Sequence, residues 1–121
     1  MRIWLFLAGV NGALAVLLGA FAAHGLKLRL APDMLAVFDT AARYHLIHAL
    51  ALGLAAMAYD RTGARPAKIA AMLFLAGIVL FCGSLYLLAL TGIAGLGVVT
   101  PIGGLAFVAG WAALALAGLR A

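Results

Sequence analysis

Three uncharged apolar runs, each about as long as a bilayer is thick, decide what this chain can fold into. Ile3 to Ala23 carries one polar side chain, Asn11. Ile69 to Leu90 holds only the mildly polar Cys82, Ser84 and Tyr86. Pro101 to Leu119 is apolar throughout and opens with a proline, which suits the first turn of a helix. A helix crosses the hydrocarbon layer with about 20 apolar residues and satisfies its own backbone groups on the way. Each run meets that requirement.

Water is the wrong solvent for such a chain. Of its 121 residues, 69% are hydrophobic and 9% charged, with no glutamate. A soluble domain carries about a quarter of its residues charged. The net charge of +5 does not point to nucleic acid either. The basic residues stand in ones and twos beside apolar runs, with no basic stripe and interleaved aromatics to follow phosphates. A single cysteine, Cys82, excludes an internal disulfide.

A fourth helix is expected between the first run and the third. Pro32 and Asp33 make a helix start, and Tyr59-Asp60 marks the exit. At 1.5 Å per residue this helix is about 42 Å long, beyond the ~30 Å core. Its membrane part is therefore placed at about 40–59, with the first turns at or above the interface. The expected spans are then about 3–23, 40–59, 69–90 and 101–119, within one integral membrane domain over residues 1–121. The fold class is an all-α membrane protein, a four-transmembrane-helix bundle. With four spans, Arg2, Arg61, Arg65, Lys68 and Arg120 share one side, and Lys27 and Arg29 lie on the other. The positive-inside rule then puts both termini in the cytoplasm. Ala20-Phe21-Ala22 loosely resembles a signal-peptide cleavage site, but the apolar run is longer than a usual h-region. The first segment is expected to be kept as a span.

Small residues recur at four-residue spacing: Ala8 and Gly12, then Ala15, Gly19 and Ala23, and Ala106 with Gly110. In a bilayer such faces let helix backbones approach closely, and packing among the four helices is the first expectation. Gly103-Gly104 after Pro101 is expected to let the fourth helix bend or pack tightly at its start. The glycines from Gly92 to Gly97 lack the strand-then-helix context of a dinucleotide loop and are taken as an uncharged connection.

Ionisable groups inside a span are costly and mark candidate sites. The second helix carries Asp39, Arg43, Tyr44, His45 and His48, and His24 closes the first. Asp39 and Arg43 are an i,i+4 pair suited to a salt bridge near the outer interface. Tyr44, His45 and His48 fall roughly on the opposite side, so protein is expected against both faces, making this the most enclosed helix. His48 is expected to bond Asn11 or a backbone carbonyl. His48 and Asn11 count to a similar depth near the midplane, and Cys82, Ser84 and Tyr86 occupy the same outer half, so a single polar layer there is the expectation. His24 is expected to return near Asp39 and Arg43. Two imidazoles at i,i+3 match metal spacing, but no carboxylate shares their face, and no metal is expected. Only His24 and His45 could pair at matched depth for haem, so no cofactor is expected.

Four ordered motifs carry a resemblance. Gly19 to Leu26, Tyr44 to Leu52, Phe81 to Gly92 and Thr100 to Trp111 resemble the family called domain of unknown function 423. That family comprises small bacterial inner-membrane proteins, similar to animal transmembrane protein 256. The resemblance covers almost the whole chain, and it implies a four-helix protein of the bacterial inner membrane. It supplies no catalytic residues. Ala22 stands where glycine is usual and Cys82 where serine is common, which weakens any catalytic role for Cys82.

The expected function is a non-enzymatic structural or accessory membrane component. Its partners would be the lipid bilayer and a membrane protein or second copy, with no nucleic acid. The alternative is a site for a lipid-soluble ligand, a quinone or lipid headgroup, at the outer half of the second helix. It would use His24, Asp39, Arg43, His45, His48 and Tyr86, with Asn11 and Ser84 as structural polar contacts. A proton or ion path would need a continuous polar route. The cytoplasmic half lacks one, apart from Asn11 near its upper edge, at the midplane.

Overall fold

Caps and breakers set the helix boundaries. A computed structural model describes residues 2–120. Among them, four helices are long and apolar enough to cross a membrane, and no strand occurs. Helix α1 spans Arg2–His24 and α2 spans Pro32–Thr62. Helix α3 occupies Arg65–Thr91 and α4 Thr100–Arg120. Proline stands in the first turn of α2, where its missing N–H costs nothing. Gly63 ends α2 in the left-handed conformation (φ 64°), its N–H donating to the Tyr59 carbonyl at 2.7 Å. That cap needs glycine and turns the chain straight into α3. Short 3₁₀ turns, Leu26–Leu28 and Ala94–Val98, fill the two loops expected to be irregular.

The helices neighbour one another in chain order. Helix α1 packs along α2, α2 along α3, and α3 along α4. Half of the most apolar stretch of α2 is buried, against 17–33% in the other three, so α2 is the most enclosed helix. Its inward face is alanine-rich: Ala41, Ala42, Ala49, Ala51, Ala55 and Ala56 are all buried. Helix α3 answers with Ala67, Ala70 and Ala71 around Phe74. Hydrocarbon tails are as apolar as leucine, so close backbone approach across small residues, not hydrophobicity, drives such contacts. The outward faces bear Phe6, Leu17, Leu50, Leu105 and Leu119, which suit lipid.

Glycine makes the α3–α4 seam. A Cβ on Gly103 would run into the backbone nitrogen of Phe81, and one on Gly110 would lie 2.7 Å from the Phe74 ring. The tight start expected of the fourth helix is therefore a backbone-to-backbone contact. It falls on an irregularity in α3, a single π-turn at Ile78–Cys82 between α-helical segments Arg65–Gly77 and Gly83–Thr91. In an unbroken α-helix Tyr86 would stand roughly 80° round from Ile78, and the extra residue of a π-turn removes about 100°. Tyr86 is thereby brought onto the face of buried Ile78, towards α2.

Candidate functional site

The polar side chains of α2 separate into two environments. Towards the Pro32 end of α2, Arg43 Nη2 donates to Asp39 Oδ2 at 3.0 Å, one helical turn apart. Both side chains are more than half exposed (68% and 56%), so no helix covers this face. The expectation of protein against both polar faces is corrected here: two charges that neutralise each other near the headgroups need no protein shield. His24 is exposed at the end of α1 and makes no hydrogen bond among the described residues, so it joins neither group.

Deeper in, His45 and His48 are buried, with relative exposures of 2% and 4%. His45 faces α1 and α3 together. Its Nε2 lies 2.9 Å from Asn11 Oδ1 and its Nδ1 2.9 Å from the Tyr86 hydroxyl. The amide nitrogen of Asn11 donates to the Leu7 carbonyl at 2.8 Å, which fixes its oxygen as the atom turned to His45. Nε2 must then carry the proton, and Nδ1 of the neutral ring accepts from Tyr86. A directed chain results, from Tyr86 O–H to His45 to Asn11 to the Leu7 carbonyl.

His48 has the opposite arrangement. Its Nδ1 lies 2.8 Å from the Tyr44 carbonyl, which can only accept. Its Nε2 receives the Trp111 indole N–H at 3.1 Å, and an indole can only donate. The proton therefore sits on Nδ1. The ring stacks on Phe107, with centroids 3.6 Å apart and planes within 11°, and Tyr44 lies parallel on it at 6.0 Å. The contact between helices expected of His48 is made, but with Trp111: Asn11 goes to His45, and the carbonyl that His48 meets is that of Tyr44, one turn back on α2 itself.

The single polar layer expected across Asn11, His48, Ser84 and Tyr86 is thus two separate contacts plus a third. Ser84 donates to the Phe81 carbonyl at 2.9 Å within α3 and lies 2.7 Å from the Thr100 hydroxyl at the start of α4. Among the described residues no buried side-chain nitrogen or oxygen lacks a partner. No cluster of histidine, cysteine and carboxylate suited to a metal occurs among them either. The i,i+3 imidazoles are turned to different helices, which separates their lone pairs.

Sequence reasoning missed Trp111, because the fourth span looked purely apolar. The available signal was an indole N–H near the middle of a span, away from the interfacial belts where tryptophan usually sits. Tyr86 was flagged, but its partner was not, since the π-turn that aims it has no sequence signature.

Comparison with known proteins agrees with this architecture. Residues 18–104 match the family model described as Protein of unknown function (DUF423). The chain is 42% identical over 121 residues to UPF0382 membrane protein YwdK of Bacillus subtilis (strain 168), covering 99% of this chain and 98% of that protein. It is 40% identical over 117 residues to UPF0382 membrane protein SAB0533 of Staphylococcus aureus (strain bovine RF122 / ET3-1), covering 97% and 95%. It is 38% identical over 120 residues to UPF0382 membrane protein SERP0230 of Staphylococcus epidermidis, covering 99% and 98%. No solved structure matches the chain.

Proposed function

The chain belongs to the DUF423 family of membrane proteins, and from that premise we propose that it is a non-enzymatic structural or accessory component of the bacterial inner membrane. One observation carries the reading. Both nitrogens of both buried histidines are spent on helix-to-helix or helix-to-backbone hydrogen bonds. General acid–base work needs a nitrogen within reach of a substrate proton, and these four are already committed. His45, His48, Tyr86 and Asn11 then serve assembly. Of the six residues considered for a ligand, Asp39 lines a cavity at the Pro32 end of the α1–α2 pair.

In this reading both termini face the cytoplasm. Arg61, Arg65, Lys68 and Arg120 lie on that side, and the charge difference between the two ends supports it. A cysteine introduced in the α2–α3 connection should resist a membrane-impermeant thiol reagent added from outside; ready labelling would reverse the orientation. The accessory role is tested by purifying the full chain in a mild detergent and identifying what accompanies it by mass. The expected result is a stoichiometric membrane protein or a second copy. A purified chain that is monomeric and converts a substrate would overturn it.

A further inference from the structure

Two cavities lie between α1 and α2, on the side of that pair turned away from His45. The deeper one, about 650 Å³, is apolar and is floored by Gly9, Gly12 and Gly53, with Leu50 and Met57 beside them. The outer one, about 420 Å³, is lined by Ala22, Ala23, Leu35 and Ala36, with Lys27 and Asp39 at its polar edge. At 100° per residue, Ala36, Asp39, Ile47, Leu50, Leu54 and Met57 fall within about 80° of one another on α2. On α1, Leu5, Gly9, Gly12 and Ala23 form a matching stripe. The cavities therefore follow each other along one flank of the pair, for about 27 Å of helix between the levels of Asp39 and Met57.

The two ends differ in charge. Asp39 is neutralised by Arg43, so the outer cavity is left with the surplus charge of Lys27, which makes no ion pair among the described residues. A cation at the interface above an apolar channel matches one kind of molecule: an anionic head on a long hydrocarbon chain. The deeper cavity begins near Leu46, about 10 Å below Asp39, well within the reach of a chain descending from the outer leaflet.

We infer that this flank of α1–α2 holds one anionic phospholipid, its phosphate at Lys27 and one acyl chain along Gly12 and Gly53. The site is independent of the histidine contacts and of the accessory role. It belongs to the bilayer-facing surface that those contacts leave open.

The test uses native mass spectrometry of the full chain, with phosphatidylglycerol or phosphatidylcholine of identical chains added to the micelles. One phosphatidylglycerol per chain should be retained in preference. Lys27→Ala should weaken its retention about fivefold, the worth of one basic residue at a membrane surface. Gly12→Leu should displace either lipid. A Cβ at Gly12 meets nothing within 4 Å, so that variant fills the groove without disturbing the helices. Gly118→Leu, equally open but near the end of α4, should change nothing. Equal retention of the two lipids overturns the inference, as does a preference that survives Lys27→Ala or Gly12→Leu, or a loss as large in Gly118→Leu. A dimer that Gly12→Leu dissociates would overturn it in favour of a second copy on this flank.

Discussion

Asp39–Arg43 and His45–His48 stand on the same helix, less than two turns apart, yet they solve opposite problems. The outer pair is charged, exposed and closed on itself. The inner pair is neutral, buried and open to other helices, with hydrogen bonds reaching α1, α3 and α4. Depth accounts for the difference. Near the headgroups a charge can reach water or a counter-charge cheaply, so it needs no tertiary partner. Nearer the midplane a polar ring must be satisfied by protein, and that requirement turns it into a tie between spans. The same residue class, ionisable and in a span, thus marks a surface feature in one place and an assembly point in the other.

Substitutions should separate the two regions by size of effect. His48→Ala removes the Trp111 and Tyr44 bonds and leaves a gap against Phe107, so it should cost roughly 2–4 kcal/mol of stability. Reversible unfolding in mixed micelles measures this, and a cost as small as that at Asp39 would break the comparison. Tyr86→Phe removes one donor from the His45 chain and should cost about 1 kcal/mol, near the range found for interhelical hydrogen bonds in membranes. Combined with Asn11→Ala in a double-mutant cycle, it should show coupling through the shared ring; strict additivity would mean the chain is not continuous. Asp39→Asn should cost about 0.5 kcal/mol or less, and added salt should erase even that. A large, salt-independent loss there would mean that the outer pair is covered by something.

Much of this was legible in the sequence, for reasons that explain the remainder. The bilayer demands uninterrupted apolar length, so the spans are visible as runs, and Pro32 marks a start by backbone chemistry alone. The exit read at Tyr59-Asp60 falls short, because α2 runs on to Thr62 and ends at the Gly63 cap. Asp39–Arg43 was readable because an i,i+4 pair needs only its own helix. His45 and His48 were readable as unusual but not as to partners. A partner depends on the azimuth and depth of another helix, and one sequence gives depth only to about a turn. The π-turn at Ile78–Cys82 shifts Tyr86 by a full position, which makes this candidate ligand residue the donor at His45. Trp111 passed as apolar because its single donor is hidden in a large hydrophobic ring.

The central claim is that the two buried histidines are neutral, of opposite tautomer, and fully used in holding the helices together. Nitrogen-15 magnetic resonance of histidine-labelled protein in lipid bilayers reads this directly, since protonated and bare ring nitrogens resonate apart. The prediction is one ring protonated at Nε2, His45, and one at Nδ1, His48, with the Nδ1 form disappearing in the His48→Ala variant. Two rings of the same tautomer, or either one carrying protons on both nitrogens, would contradict it.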